Sequence, residues 1–392
     1  MAVRFPIYLD YQATTPLDPR VFDAMAPYYR ERFGNPHSVT HRYGWEAEAA
    51  VDEARATIAA LIGAEAKAVH FTSGATEANN LAIKGVMEAM RDVRPHLVVA
   101  ATEHKCVLES AQAMARRGCR LTISPVQPNG LLDLDRLAAA ITAETALVSV
   151  MAVNNEIGVI QPLAEIGALC RERGVWFHCD AAQALGRIAL DVEAMKIDLM
   201  SLSAHKIYGP KGVGALYVRR ARPRVRIVPQ LSGGGQEAGI RSGTLAPALC
   251  VGFGEAARIA SKEMASETER IAMLMRDFLD RVRAAHPGIR VNGDRVHRYP
   301  GNLNLSFPGI DGERLLAELP ELALSSGAAC ASATSGPSYV LEAIGLSPAL
   351  ARASLRLGIG RFTTAEEMAV AAERLIAAIS RLGGVCAREA TA

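Results

Sequence analysis

Short apolar runs rich in β-branched residues alternate with longer helix-like stretches between about residues 46 and 220. This alternation is typical of a mainly parallel sheet that is covered by helices. Several of the predicted strands end in polar residues, as expected when a ligand lies beyond the carboxyl ends of the sheet. The strands are predicted at 69–73, 96–102, 146–154, 175–180, 198–203 and 213–219.

The hydrophobic pattern changes after a glycine-rich stretch at 232–243. A long polar helix is predicted over 261–283, and short strands then alternate with helices. These strands are predicted at 302–307, 322–325 and 354–357, and the helices at 312–319, 338–344 and 365–382. The last part of the chain therefore indicates a smaller α+β domain.

Composition and charge narrow the class of protein. The chain has 392 residues, of which 50% are hydrophobic and 21% charged, and this profile is typical of a globular protein of about two domains. Forty-three basic and 41 acidic residues leave a net charge of +2, so neither nucleic acid nor an anionic membrane is expected as the main partner. Only seven of the basic residues are lysines, which shortens the search for a reactive amine.

Seven cysteines are spaced irregularly and include no Cys-x-x-Cys pair, so neither a disulfide framework nor a metal site is predicted. A reducing compartment fits this pattern better. The N-terminal residues contain no apolar core of signal-peptide length, and no apolar run approaches the roughly 20 residues of a membrane span. We therefore expect a cytoplasmic protein that does not cross a membrane.

The most informative segment is 198–206, a buried strand pattern that delivers Ser203, His205 and Lys206 into a turn. A lysine at a strand end, among small and polar residues, can form a Schiff base with a carbonyl carbon. Most lysines are solvated surface residues, however. The segment alone therefore does not identify a site.

A second polar pair follows the strand predicted at 175–180. Asp180 ends this strand, and a helix beyond it would place Gln183 on the same face. Such a carboxylate can keep a pyridinium nitrogen protonated, and a glutamine amide can donate a hydrogen bond to the phenolic oxygen of the same ring. The alternative is that Asp180 caps a helix, which would explain the aspartate but not the lysine.

A glycine turn between a strand and a helix at 71–77 can bind a phosphate. The backbone amides at the start of the helix and the Thr76 hydroxyl would face the anion. The segment lacks both the P-loop lysine and the dinucleotide G-x-G-x-x-G pattern, which disfavours a nucleotide ligand. His104 can stack on a planar cofactor, although a single histidine is more often a structural hydrogen-bonding residue.

Pyridoxal 5'-phosphate (PLP) needs all of these features together: a phosphate cradle, an aromatic cover, an acid for the ring nitrogen and a lysine for the aldehyde. The sequence also resembles the cysteine desulfurases of the NifS/IscS group, within the class V aminotransferase family of fold-type I PLP enzymes. The resemblance covers nearly the whole chain. Its motifs are YLDYQATTP at 8–16, FGNP at 33–36, TEH at 102–104, VNNEIG at 153–158, SAHKIYGPKG at 203–212, RSGT at 241–244 and SSGAAC at 325–330.

The resemblance implies the α/β architecture of fold type I, with a mainly parallel seven-stranded sheet between helices in a large PLP-binding domain at 16–259. A smaller α+β domain would be formed by 1–15 and 260–392, and would carry a catalytic-cysteine loop at about 325–337. The resemblance also implies a homodimer.

The family's contacts to the cofactor ring, to its aldehyde and to its phosphate carry over to this chain. The resemblance implies that Lys206 forms the Schiff base with PLP and that Asp180 pairs with the pyridine nitrogen. Gln183 would contact the phenolic oxygen, and His104 would stack on the ring. The residues implied to bind the phosphate are Ala75 (through its amide), Thr76, Ser203, His205 and, from the second subunit, Thr244.

The remaining implied residues act on the substrate. Asn155 and Arg356 match the residues that hold a substrate carboxylate, and a guanidinium fork suits that group. Cys330 distinguishes a desulfurase from a general aminotransferase, and it lies among small residues typical of a mobile exposed loop. Lys206 would take the Cα proton of L-cysteine, and Cys330 would then attack the substrate sulfur to give alanine and a persulfide. His104 is the predicted proton carrier near that sulfur.

Sulfur-acceptor proteins are implied as partners, such as an iron–sulfur scaffold or a tRNA-thiolation relay protein. Some positions depart from the family pattern: Gln236 and Ala238 replace a usual His and Arg in the glycine-rich loop. Cys106 is unusual, and we interpret it as a small buried residue rather than a second sulfur site. Two alternatives stay open: a selenocysteine lyase or another PLP lyase of the same family, and a non-catalytic sulfur carrier or scaffold that uses only Cys330.

Overall fold

We describe the protein from a computed structural model that covers residues 3–326 and 336–389, with 384–389 described by their backbone alone. The strands are β1 (Ile7–Tyr8), β2 (Val69–Thr72), β3 (His96–Ala100), β4 (Arg120–Ser124), β5 (Thr145–Ser149), β6 (Trp176–Asp180), β7 (Leu199–Ser203), β8 (Gly214–Val218), β9 (Arg290–Val291), β10 (Asn302–Ser306), β11 (Leu322–Ala323) and β12 (Ser354–Gly358). The helices are α1 (Pro19–Met25), α2 (Pro27–Arg30), α3 (Arg42–Leu61), α4 (Ala75–Met90), α5 (Lys105–Arg116), α6 (Leu134–Ala140), α7 (Leu163–Glu172), α8 (Pro247–Ala285), α9 (Gly312–Ala317), α10 (Tyr339–Ala343), α11 (Pro348–Arg352) and α12 (Ala365–Glu389). Short 3₁₀ helices lie at Ala66–Ala68, Ala204–Lys206 and Glu237–Gly239.

A seven-stranded sheet forms the centre of the larger part of the molecule, in the order β2-β8-β7-β6-β5-β3-β4. Strand β8 runs antiparallel to both of its neighbours, and the other pairs are parallel. The prediction of a mainly parallel seven-stranded sheet between helices is therefore confirmed. Strand β4 was not predicted from the pattern, because most of its residues are exposed or half-buried at the sheet edge.

Side chains alternate between the two faces of this sheet and fill two separate apolar clusters. In β3, for example, Val98 and Ala100 pack into the cluster beneath α3, α7 and α8. Their neighbours Leu97 and Val99 pack on the other face, against α4 and α5. The central strands are fully buried, which explains why they appear in the sequence as nearly continuous apolar runs.

The smaller part of the molecule contains an antiparallel sheet in the order β12-β10-β9. Its apolar cluster includes side chains from these strands, from α12 and from the second half of α8. The N-terminal strand β1 pairs with β11, so the first residues of the chain join this part of the molecule. The division at 259/260 remains a prediction, although the core cluster changes along α8 close to that point.

Helix α8 begins at Pro247, so the prediction of a helix start at 261 is wrong. Its first turns are rich in Ala and Gly and are buried against α3, and this segment lacks the polar face that marked the later turns. None of the helices in the described ranges is both long and apolar enough to span a bilayer.

Candidate active site

A cavity of about 460 Å³ opens at the carboxyl ends of β6 and β7. Ten of the predicted site residues line it: Ala75, Thr76, His104, Asn155, Asp180, Gln183, Ser203, His205, Lys206 and Arg356. The fold therefore brings together residues that are far apart in the sequence. Two predicted residues are not among them: Thr244 is exposed on a neighbouring loop, and Cys330 lies outside the described residues.

Lys206 reaches the cavity from the end of β7. The strand ends at Ser203, and the 3₁₀ turn Ala204–Lys206 directs the lysine back over the sheet edge. Its Nζ donates hydrogen bonds to the carbonyl oxygens of Gln12 at 2.5 Å and Ala13 at 2.8 Å. The lysine side chain is therefore held at the cavity, and the interpretation as a solvated surface lysine is wrong.

Asp180 lies at the end of β6 with both carboxylate oxygens held. Its Oδ2 accepts a hydrogen bond from Asn79 Nδ2 at 2.7 Å, and its Oδ1 accepts one from the Ala182 amide at 2.9 Å. The residues that follow form turns rather than the helix that was considered. Gln183 nevertheless lines the cavity, and its Nε2 donates a hydrogen bond to the Gln12 carbonyl at 2.8 Å.

The predicted phosphate cradle lies at the start of α4. Gly74 precedes the helix with a φ of +153°, a conformation that favours glycine. The first backbone amides of α4 have no partner within the helix, and they begin at Ala75 and Thr76 on the cavity wall. An anion bound here would lie at the positive end of the dipole of a 16-residue helix.

Ser203 and His205 complete this side of the cavity. Ser203 is buried, and its Oγ has no hydrogen-bond partner among the described residues. His205 Nδ1 lies 3.0 Å from the Thr14 hydroxyl. Burial, together with the positive charges of Lys206 and Lys211, lowers the pKa of His205 to about 4, so its imidazole is neutral at physiological pH.

His104 caps the N-terminus of α5 and lines the cavity. Its Nδ1 accepts a hydrogen bond from the Cys106 amide at 3.2 Å and lies 3.0 Å from Cys106 Sγ. Because Nδ1 acts as an acceptor, the proton of the neutral ring lies on Nε2.

Cys106 is half-buried rather than buried as predicted: it packs against the apolar cluster of α4 and α5 and also lines the cavity. Its Sγ also accepts a hydrogen bond from Asn79 Nδ2 at 3.1 Å, the same amide that binds Asp180. Cys170, Cys179 and Cys250 are buried, as expected of structural thiols.

Arg356 enters the cavity from β12, beside Asn155. One Nη donates to the Asn155 carbonyl at 3.0 Å and the other to Asp10 Oδ1 at 2.7 Å. Arg356 Nε and Asn155 Oδ1 are buried and have no partner among the described residues. These atoms are an unsatisfied acceptor and an unsatisfied donor at the place predicted for the substrate carboxylate.

Sequence reasoning assigned no role to the N-terminal segment 10–15, which crosses the cavity. Its backbone and side chains contact Lys206, Gln183, His205 and Arg356. The sequence marks this segment only through the motif YLDYQATTP, which supports the family resemblance. The residue types in the motif do not by themselves predict a catalytic or binding role.

The residues present fit PLP. Unsatisfied buried atoms on Ser203, Asn155 and Arg356 face a cavity that also contains a helix N-terminus, an aspartate and a lysine. A buried polar group without a partner costs free energy, so such atoms point to a ligand with matching polar groups. Lys206, Asp180, Gln183, His104, Ser203, His205 and the first amides of α4 would hold the cofactor.

Comparisons with known proteins give the family of this chain. The class-V aminotransferase family model matches residues 7–370. The chain is 55% identical over 377 residues to a protein of Rickettsia bellii named cysteine desulfurase IscS, covering 96% of this chain and 92% of that one. A solved NifS-like protein superimposes with a TM-score of 0.89 at 32% identity, over 96% of this chain and 100% of that one. A structure described as SspA in complex with cysteine gives a TM-score of 0.81 at 35% identity, over 91% of this chain and 100% of that one. The chain therefore belongs to the class-V aminotransferase family and, within it, to the cysteine desulfurases of the NifS/IscS group.

Proposed function

We propose that this cysteine desulfurase holds PLP on Lys206, takes L-cysteine as its substrate and places the removed sulfur on Cys330. Membership of the class-V aminotransferase family implies the cofactor. The observation that carries the proposal is the convergence of Lys206, Asp180 and Arg356 on one cavity. The solved relative described as a complex with cysteine supports the choice of substrate.

PLP, when bound, supplies an electron sink that stabilises negative charge on the substrate Cα. Asp180 would keep a proton on the ring nitrogen of this cofactor, and Asn79 fixes the orientation of the Asp180 carboxylate. Lys206 Nζ accepts the Cα proton of L-cysteine. Arg356 and Asn155 bind the substrate carboxylate and set the orientation of the Cα–H bond relative to Lys206.

His104 Nε2 carries the proton that moves near the substrate sulfur. This assignment follows from the backbone amide of Cys106, which occupies Nδ1 and leaves Nε2 as the protonated atom. A neutral imidazole with a fixed tautomer can donate this proton and take it back within one turnover.

Cys330 receives the sulfur. Its thiolate attacks the Sγ atom of L-cysteine, an S–S bond forms, and the substrate C–S bond breaks. The electron pair of that bond stays with the carbon fragment, which becomes alanine after protonation. Cys330 lies outside the described residues. The last described residues before it lie close to Arg356, because the Arg356 amide donates a hydrogen bond to the Ser325 carbonyl at 2.7 Å.

The absorbance spectrum of the purified protein, with and without L-cysteine, tests this proposal. The wild type is expected to absorb in the visible range through its lysine-linked cofactor and to change its spectrum when L-cysteine is added. Lys206→Ala is expected to lose the lysine-linked absorbance. Cys330→Ser is expected to keep the spectral response but to form no alanine in multiple turnovers.

Two outcomes would contradict the proposal. Sulfide release at the wild-type rate by Cys330→Ser would favour a lyase of the same family. A protein without cofactor absorbance after reconstitution with PLP would favour a sulfur carrier or scaffold.

We further propose that the chain acts as a homodimer. A cluster of large apolar side chains on residues 33–45 is exposed, including Phe33 at 64%, Tyr43 at 54% and Trp45 at 54%. The rings of Phe33 and Tyr43 stack at 5.4 Å, so this surface is contiguous at that point. A contiguous apolar surface of this kind fits a subunit interface.

Cys330 would pass its sulfur to an acceptor protein, such as an iron–sulfur scaffold or a tRNA-thiolation relay protein. A cytoplasmic location is part of the same proposal. Free thiols at Cys106, Cys119, Cys170, Cys179 and Cys250 support a reducing compartment.

A further inference from the structure

The described chain stops at 326 and resumes at 336. On each side of this gap, a residue is hydrogen-bonded at or next to the residues predicted to bind the substrate carboxylate. On the upstream side, Ser325 pairs with Arg356 through two backbone hydrogen bonds. On the downstream side, Ser338 contacts Glu156, the neighbour of Asn155. Cys330 lies between these two points in the sequence.

The downstream contact consists of two hydrogen bonds, which we call the downstream anchor. Ser338 Oγ donates to Glu156 Oε2, and both side chains are buried at 4% exposure. Tyr339 Oη donates to the Glu103 carbonyl at 2.6 Å. Glu103 directly precedes His104 and Glu156 directly follows Asn155, so the anchor contacts the sequence neighbours of two predicted site residues.

The partners of the anchor are themselves fixed. Asn154 Oδ1 accepts hydrogen bonds from the Glu156 and Ile157 amides at 2.8 and 2.9 Å, and Asn154 Nδ2 donates to the Thr102 carbonyl at 2.9 Å. Helix α10 packs its apolar face on Ile157 through Val340 and other residues of a small buried cluster. The anchor therefore joins the start of α10 to a rigid part of the site.

Ser338 makes one bond more than its role as a helix cap requires. It caps α10 by accepting the Leu341 amide at 3.3 Å. Ser347 caps α11 in the same way, accepting the Leu350 amide at 3.3 Å. Both helices have five residues, but only Ser338 also donates to a side chain of the site.

We propose that Ser338, Glu156 and Tyr339 are positioning residues for sulfur transfer, which hold the chain downstream of Cys330 against the substrate-binding side of the cavity. The inference rests on the proposed role of Cys330 as the sulfur acceptor. Sulfur transfer needs the attacking thiolate within about 3.5 Å of the substrate sulfur, and a misplacement of about 1 Å can cost roughly a hundredfold in rate. The anchor fixes the described chain at Ser338, eight residues after Cys330 in the sequence.

Single-turnover kinetics of the PLP-loaded enzyme test the proposal. Ser338→Ala is expected to slow alanine formation by about tenfold or more, because the Cys330 thiolate is less often in position to attack. Its affinity for L-cysteine, measured from the spectral change, is expected to stay within about twofold of the wild type, because the anchor does not contact the substrate. Ser347→Ala removes an equivalent helix cap and is expected to leave both quantities unchanged.

Two further variants make the result independent of folding. Tyr339→Phe removes only the hydroxyl that donates to Glu103, and is expected to slow alanine formation in the same direction as Ser338→Ala. Ser338→Thr keeps the hydroxyl and is expected to restore the rate. If Ser338→Ala is unstable, the comparison of Tyr339→Phe with the wild type decides the question.

The proposal is overturned if Ser338→Ala and Ser347→Ala have the same rate of alanine formation, or if Tyr339→Phe has the wild-type rate. It is also overturned if the loss in Ser338→Ala lies entirely in L-cysteine affinity, because the contact would then act on the substrate site alone. Failure of the underlying function is distinguished by Cys330→Ser. Full alanine formation in that variant would remove the role of Cys330, whatever the anchor variants do.

Discussion

Individual residues of the site differ in what their surroundings do to their charge. Burial raises the pKa of Glu156 from 4.5 to about 7, against the opposing effects of the Ser338 hydrogen bond, Arg356, His104 and Lys105. Burial and the nearby Asp180 charge also hold the pKa of Glu103 well above its usual range. Both carboxyl groups at this side of the cavity therefore keep their protons to a higher pH than an exposed glutamate does.

Glu156→Gln is expected to change how stability depends on pH. As the pH rises from 4.5 to 7, the unfolded chain loses the Glu156 proton while the folded protein keeps it, so the wild type loses up to roughly 3 kcal/mol of stability over this window. Glutamine does not titrate, so the variant lacks this loss. Unfolding free energies of the two proteins at pH 5 and pH 8 measure the difference.

Glu165→Gln, which removes an exposed carboxylate, controls for the change in net charge. An equal pH dependence of the wild type and Glu156→Gln would show that Glu156 is ionised in the folded protein at pH 5. The expected sign is therefore specific: the wild type becomes less stable relative to the variant as the pH rises.

At the same scale, the sequence predicted residues whose chemistry is visible in the local pattern. Lys206 and Asp180 follow apolar strands, so their position at a sheet edge could be inferred without the fold. Asp10, Glu156 and Ser338 could not be inferred in this way. Each of them acts through a partner that is far away in the sequence, and only the folded chain brings the pair together.

Elements were predicted best where they are buried on both sides. Strands β6 and β7 lie within the predicted ranges, because each is a mostly buried apolar run. Strand β5 is buried throughout but ends at Ser149 rather than at the predicted 154, because the apolar residues 150–153 that follow it are also buried. The edge strand β4 and the first turns of α8 were missed, because an exposed edge and an Ala- and Gly-rich buried helix both lack a clear period. The turns after Asp180 were also missed, since their geometry depends on contacts with Gln12.

The close packing of α3 against α8 gives a prediction at the element scale. A Cβ atom on Gly254 would lie 2.7 Å from both the Cα and the Cβ atoms of Ala54, so one of the two helices must move to accept it. Gly254→Ala is therefore expected to destabilise the protein by about 1–3 kcal/mol, although alanine favours a helix by about 1 kcal/mol over glycine. Unfolding in urea measures the change.

Gly383→Ala in α12 is the matched control. A Cβ atom there would meet nothing within 4 Å, so only the helix propensity changes. This variant is expected to be more stable than the wild type by up to about 1 kcal/mol. If Gly254→Ala were stabilising to the same degree, the α3–α8 contact would be looser than the structure indicates.

At the scale of the whole molecule, Thr244 is predicted to bind the cofactor phosphate of a neighbouring subunit. The loop that carries it is tied to its own subunit at two points. Glu237 accepts two hydrogen bonds from Arg55 at 2.8 Å and one from the Phe71 amide, and Arg241 donates to Glu77 at 2.7 and 3.2 Å. Thr244 is held outside the cavity of its own chain and exposed to solvent, as a residue that completes a neighbouring site would be.

Mixed dimers can test this arrangement, because the two proposed halves of one site would come from different chains. Lys206→Ala and Thr244→Ala chains, co-expressed with different affinity tags, would give mixed dimers with one site carrying both substitutions and one site carrying neither. We expect such dimers to show about half of the wild-type cofactor absorbance and alanine formation per dimer, because the intact site has its own lysine and its partner's threonine. The Lys206→Ala homodimer is expected to form no alanine, and the Thr244→Ala homodimer to bind PLP more weakly at both sites.

The alternative arrangement has a different outcome. If Thr244 instead served its own chain, every site in the mixed dimer would carry one substitution and no wild-type site would exist. The PLP concentration needed for half-saturation separates the two arrangements, since only the shared arrangement yields a population of sites with wild-type affinity.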